Sequence, residues 1–185
     1  LLLCNGLQIK GSSNVNNESF VVACERIQHM LRNTDKTIKN NLQNQNVSIN
    51  IIGLNDKLSD LPEHFHMKNK KGGYSGKGER TIDVCRGMRH GSDIYCGEEC
   101  LIDQGNKSIY SDNVKDIFYH EFAHAIMGSG LDNETNEEIK AAWLNAKNNN
   151  LWKNDNRNAY ALTNPGEYFA ELSMWYFGGH GDFID

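Results

Sequence analysis

Between positions 17 and 33 the apolar residues Phe20, Cys24, Ile27 and Leu31 recur at helical spacing, with charged and polar side chains between them. The spacing predicts an amphipathic helix with one face on a core. His29 on that helix reads as a packing or surface residue. A polar stretch rich in Asn, Lys and Gln follows. Val47-Ser48-Ile49-Asn50-Ile51-Ile52 then alternates before turning apolar, the pattern of a strand. Leu58 to Met67 predicts a short helix or loop, and Pro62 limits where a helix could begin. Residues 68–80 are polar, basic and Gly-rich, as in an exposed loop or hairpin tip. Thr81 to Cys85 predicts another strand, with a turn around Arg86 to Ser92, and Asp93 to Ile102 fits no single element.

The clearest helix is predicted over residues 111–127. Ser111 or Asp112 can cap its first turn, and Gly128 and Gly130 stand where a helix would stop. Val114, Ile117, Phe118, Phe122, Ala125 and Ile126 supply its buried surface. A second helix is predicted from Asn164, a good N-cap followed by Pro165 at the first helical position. Tyr168, Phe169, Leu172, Trp175 and Phe177 make it largely apolar. No repeat and no linker divides the 185 residues, so one domain over residues 1–185 is expected.

The formal net charge of −5 argues against general nucleic-acid binding, which calls for a basic stripe. No run of about 18 apolar residues exists, so no membrane-spanning helix is expected. The Gly-rich segment is not a phosphate loop, because Gly78 stands where Ser or Thr should follow Lys77, and Lys71 takes the first Gly position. Cysteines stand at 4, 24, 85, 96 and 100, and N-x-S/T sequons at Asn17, Asn46, Asn106 and Asn133. Together they favour a secreted glycoprotein with disulfide bonds. The opening Leu1-Leu2-Leu3-Cys4 fits the tail of a signal-peptide apolar region, with residues 1–5 as its remnant. Cys24, Cys85, Cys96 and Cys100 would then allow two disulfides in three pairings. A zinc site on Cys96-x3-Cys100 and a cytosolic protein with free thiols are the alternatives.

Inside the 111–127 helix lies His120-Glu121-Phe122-Ala123-His124. Residues four apart share one helix face, about 5–6 Å from each other. Two imidazoles can therefore converge on one Zn²⁺, at nitrogen–metal distances of about 2.0–2.1 Å. Glu121 turns away from the metal, but its side chain can reach a water there, the place of a general base. The bland alternative is a helix with two surface histidines. In an apolar helix those groups need partners, which a metal provides.

A catalytic site takes a third protein ligand and leaves one position open. The metzincin extension would need Gly at 127 and His at 130; Met127 and Gly130 exclude it. A glutamate from the second helix is the other solution. Glu167 and Glu171 share one face there, one turn apart. Glu167 is assigned as the ligand, and Glu171 as the acceptor of a hydrogen bond from a ligating histidine. His64 and His66 could in principle add a fourth ligand but read as loop histidines; His90 and His180 have no spacing partner.

These two segments resemble the catalytic domain of anthrax lethal factor and its relatives, including the clostridial Pro-Pro endopeptidases. That family uses an H-E-F-x-H helix and a later E-[FY]-F-A-E helix, here Glu167-Tyr168-Phe169-Ala170-Glu171. A tyrosine seven residues before the first glutamate faces its site, and Tyr160 matches that spacing. Cys96-Gly97-Glu98-Glu99 and the ending Trp175 to Asp182 resemble small secreted relatives, which usually continue further. The resemblance runs over about residues 94–182, and the chain is expected to be a fragment at its C-terminus.

The resemblance implies an α+β, zincin-like fold, a small twisted sheet packed on the two helices. It also implies one Zn²⁺ per chain and an endopeptidase acting on a peptide substrate; with the cysteines and sequons above and no oligomer signal in the sequence, a secreted monomer is expected. Zinc would polarise the scissile carbonyl and activate a water. Glu121 would take the water's proton and pass it to the leaving amine, and Tyr160 would hydrogen-bond the oxyanion. A strand within residues 81–102 would hold the substrate by edge pairing. A zinc-binding module without turnover and an adhesive glycoprotein with a structural zinc are the other readings.

Overall fold

The computed structural model describes residues 1–76, 78–102, 117–154 and 157–177. Five short strands form a mixed sheet: β1 (Leu2–Cys4), β2 (Leu7–Gly11), β3 (Ser48–Ile52), β4 (Gly87–His90) and β5 (Asp93–Gly97). Their order is β1-β2-β3-β5-β4, with β2, β3 and β5 parallel and the two edge strands antiparallel to their neighbours. Asn5 and Gly6, both at positive φ, make the two-residue turn between β1 and β2.

Helices α1 (Asn17–Leu31), α3 (Ile117–Ala125) and α5 (Pro165–Tyr176) bury their apolar stripes in a core shared with the sheet. The period-two geometry of a strand decides which residues meet them. Ile49 and Ile51 of β3, with Ile94 and Cys96 of β5, enter this core. Ile52 and Tyr95 point the other way and join Leu58, Met67 and Ile82 in a smaller cluster under the long connection between β3 and β4. The α+β, zincin-like architecture expected from the sequence is therefore the one found.

α1 and β3 lie where the hydrophobic pattern puts them. The expected strand at Thr81–Cys85 is a correction. Ile82–Val84 is a single 3-10 turn, because the Asp83 carboxylate accepts from the Ser59 hydroxyl and the Asn69 amide. The strand forms at Gly87–His90 instead, inside the expected turn, because β5 offers an unpaired edge. Two helices had no clear hydrophobic signal: α2 (Lys36–Asn44) and α4 (Asn133–Asn148) bury only Leu42 and Ala146 respectively.

The cysteine expectation is also corrected. Cys4 belongs to β1 and forms a disulfide with Cys24 of α1, 5.6 Å between Cα atoms. Cys85, Cys96 and Cys100 are free thiols, so neither the expected pairings nor a Cys96–Cys100 zinc site is present among the described residues. Asn17, Asn46 and Asn133 of the sequons are exposed. Lys77, Asn106, the capping candidates Ser111 and Asp112, Val114, His180 and the rest of 178–182 lie outside the described residues. No helix among the described residues is long and apolar enough to cross a membrane.

Candidate metal centre and active site

α3 does not stop at Gly128. It loosens into a π-turn over Ile126–Gly130 and ends at Leu131, a distortion common beside functional sites. Side-chain amides hold the turn: Asn41 donates to the Gly130 carbonyl at 2.9 Å and Asn136 to the Met127 carbonyl at 3.2 Å. α3 packs along α5, whose start is fixed as the sequence predicts. The Asn164 side chain accepts from the Glu167 amide at 2.9 Å, and Pro165 opens the helix. Just before it, the 3-10 turn Tyr160–Leu162 is braced by α4, where the Trp143 indole donates to the Leu162 carbonyl at 3.1 Å.

These helices bring His120, His124 and Glu167 together. The His120 and His124 Nε2 atoms are 3.0 Å apart, and Glu167 Oε2 lies 3.1 Å from the first and 3.3 Å from the second. Ligands about 2.0–2.1 Å from one tetrahedral ion are themselves about 3.3 Å apart, so the triangle is nearly that of a metal site's face. Glu167 Oε2 is buried and lies beside both imidazole nitrogens without hydrogen-bond geometry to either. Such an orphaned oxygen is costly unless something binds it. The residues therefore fit a metal: two imidazole nitrogens and one carboxylate oxygen suit Zn²⁺. Among the described residues no fourth His, Cys, Asp or Glu joins the group, so the geometry is that of an open site. His64 and His66 lie elsewhere, in the 3-10 segment Pro62–Met67 beside Tyr74.

Glu171 stands one turn beyond Glu167, and its Oε1 is 2.9 Å from His120 Nδ1. That contact holds a proton on Nδ1 and leaves Nε2 as the nitrogen facing the ligand triangle. Burial works against charge on His120, but the adjoining Glu167 and Glu171 carboxylates prevail and raise its pKa to about 9. Burial likewise pulls Glu167 up, and the two imidazoles beside it outweigh that, holding the carboxyl at about 2. The same groups that would hold a cation thus already balance one another's charge.

Glu121 is buried beside the triangle and is not part of it. Burial, opposed by the two histidines, pushes its carboxyl up to about 7, the range in which a general base can both take and return a proton. Tyr160 stacks on the His120 ring at 6.2 Å, and burial followed by the Glu167 charge pushes its phenol up to about 12. The phenol therefore stays a donor at neutral pH.

These five side chains line one side of a cleft of about 540 Å³. The other side is the edge strand β4 and its turn, through Gly87, Met88, Arg89 and Gly91. Gly87 explains the weak strand signal. A Cβ there would sit 2.0 Å from Ile117 Cγ2 and 2.9 Å from Glu121 Oε1, so the strand must be bare backbone where it passes Glu121. Sequence reasoning missed this strand and Arg89; the pair of glycines at 87 and 91 was the available signal.

Among solved structures, the chain is similar to the Pro-Pro endopeptidase PPEP-2 from Paenibacillus alvei, with a TM-score of 0.53 at 21% identity. The match covers 91% of this chain and 84% of that one, and shows a shared fold. Comparison with curated proteins finds no match. Residues 9–181, nearly the whole sequence, match the family described as anthrax toxin lethal factor, N- and C-terminal domain, and the chain belongs to that family.

Proposed function

We propose that the protein is a secreted, zinc-dependent endopeptidase that works as a monomer on peptide or protein substrates. The observation that carries this reading is the His120–His124–Glu167 triangle, with an orphaned carboxylate oxygen, at the floor of a cleft walled by an edge strand. The name of the similar Pro-Pro endopeptidase and the lethal factor family membership support peptide-bond hydrolysis. The Cys4–Cys24 disulfide and the exposed sequon asparagines support export.

His120, His124 and Glu167 hold the metal, and Glu171 fixes the His120 tautomer. A bound Zn²⁺ supplies Lewis-acid polarisation of the scissile carbonyl and acidifies water. The substrate lies extended along β4, whose free backbone donors and acceptors pair with it. Glu121, within reach of the bare backbone at Gly87, takes a proton from the attacking water and returns it to the leaving amine. Tyr160, over the His120 ring, donates its phenol hydrogen to the carbonyl oxygen as negative charge develops there.

The test compares the purified protein with its Glu121→Gln variant, measuring zinc per chain and cleavage of a broad peptide library. About one zinc in both, with cleavage by the wild type alone, is expected. One zinc with no cleavage by either would leave a zinc-binding module. No zinc would remove the ligand assignment.

A further inference from the structure

Arg89 lies on the same face of β4 as Gly87, two residues and about 7 Å along the strand. It is the one lysine or arginine among the described residues lining the cleft. Its guanidinium lies flat on the π-turn: a Cβ at Gly128 would meet Nη1 at 2.2 Å and Cζ at 2.7 Å. Gly128 is therefore the residue that makes room for it. Nη2 donates to Ser129 Oγ at 3.2 Å, and Nε is buried with no partner. Arginine carries five N–H donors in a fixed fork, and this contact uses one. No carboxylate among the described residues pairs with it. Burial alone pulls its pKa below the usual value, yet a guanidinium stays charged.

A half-buried cation cradled by a glycine and lacking an internal counter-ion, on the strand that faces the substrate, is arranged to receive an anion from outside. Structural arginines in this chain are built differently: Arg86 meets a buried carboxylate with both arms of its fork. We propose that Arg89 is a specificity-determining residue that selects peptides bearing a carboxylate within about two residues of the scissile bond. The inference rests on the cleft being a peptide site, as proposed above. The carboxylate can come from an Asp or Glu side chain or from a free C-terminus, and both offer two oxygens to the fork.

The experiment uses fluorogenic peptides differing only by Glu, Gln or Lys at each position around the cleaved bond, each as free acid and C-terminal amide. The wild type, Arg89→Gln, Arg89→Lys and Arg89→Glu are compared by the ratio of kcat/KM for Glu over Gln peptides. A ratio removes any general loss from disturbing the turn. The wild type should prefer the carboxylate by about 10- to 100-fold at one position, as expected for charge-assisted hydrogen bonds. Arg89→Lys should keep part of the preference, Arg89→Gln should bring the ratio near one, and Arg89→Glu should favour Lys. A preference for free acid over amide, lost in Arg89→Gln, would assign the C-terminal source. A wild-type ratio near one everywhere, or a preference that survives Arg89→Gln, overturns the proposal. If no peptide is cleaved, the endopeptidase reading fails, and binding of the same peptides by fluorescence anisotropy decides the matter for Arg89. Carboxylate-dependent binding lost in Arg89→Gln supports it, and its absence overturns it.

Discussion

Replacing Arg86 should destabilise this protein more than replacing any of its exposed charged residues. Arg86 is 3% exposed, and its Nε and Nη2 donate to the two carboxylate oxygens of Glu99, each at 2.7 Å. Its remaining donors reach three backbone carbonyls: Asp56 at 2.8 Å, Gly53 at 2.9 Å and Ile52 at 3.1 Å. One guanidinium thus ties the end of β3 and the loop after it to the start of β4 and the turn after β5. Arg86→Ala leaves the buried Glu99 carboxylate without its ion pair and takes a donor from three carbonyls, of which Gly53 keeps the Asp56 amide at 3.0 Å. Removing one partner of a buried pair costs about 3–5 kcal/mol, because the surviving charge is uncompensated. For a domain of this size, about 2–4 °C of melting temperature per kcal/mol gives a fall of roughly 6–20 °C.

The assay is thermal unfolding at constant pH and constant zinc, since a ligand that binds the folded state shifts the midpoint by mass action. Arg86→Lys should fall between wild type and Arg86→Ala, because an ammonium cannot serve both carboxylate oxygens and the carbonyls together. Arg86→Met combined with Glu99→Leu should recover part of the loss by removing the orphaned charge. It should not recover all of it, since the carbonyls of Ile52, Gly53 and Asp56 still lose the guanidinium's hydrogen bonds. A fall below about 2 °C for Arg86→Ala would match an exposed ion pair, worth about 0–1 kcal/mol, and would refute the reasoning.

Glu171→Gln should lower zinc affinity about 10- to 100-fold, measured by competition with a chelator, because His120 loses the carboxylate that orients it; unchanged affinity would remove that role from Glu171. Tyr160→Phe should lower kcat by about 30- to 1,000-fold, from about 2–4 kcal/mol for one oxyanion donor, with zinc content unchanged. An effect on KM alone would make Tyr160 a binding residue. Burial holds the His64 imidazole below its usual 6.5, against the opposing charge of Glu63. The unfolded chain therefore gains a proton before the folded one does, so this contribution to stability is whole above about pH 6.5 and is lost on acidification. Melting curves of wild type and His64→Gln across that range should diverge on the acid side, and parallel curves would clear His64 of the effect.

What was legible in the sequence is what a single helix or strand settles by itself. His120 and His124 face one way because helices repeat every 3.6 residues, whatever packs around them. Asn164 caps because its side chain and the Glu167 amide are close in sequence. β3 is buried on both faces and spells this out in apolar residues. β4 was illegible for the opposite reason. An edge strand against a cleft buries no full face, and at Gly87 it must lack a side chain, so hydropathy is silent and glycine reads as a turn. Thr81 to Val84 has the β-branched composition of a strand, but capture of Asp83 by Ser59 and Asn69 overrides it. The Asn5-Gly6 turn was a genuine hairpin signal, obscured because Leu1 to Leu3 also fits a leader's apolar end.

The division of labour between Glu167 and Glu171 shows how local and tertiary information combine. Both carboxylates lie on one face of α5, and their spacing alone allows either to be the ligand. The phase of α5 decides between them, and that phase is set at its first turn. Asn164 accepts from the Glu167 amide and Pro165 fixes the first helical φ, so Glu167 occupies the third helical position, where its Oε2 reaches the Nε2 atoms of both histidines. One turn further on, Glu171 arrives at the other nitrogen of His120. A cap shifted by one residue would rotate both carboxylates by about 100° and leave the histidines facing Gly166 or Tyr168 instead. The cap at Asn164 therefore belongs to the metal site as much as to the helix. Ala at 164 should weaken zinc binding as well as cost the helix the ~1 kcal/mol of a lost cap.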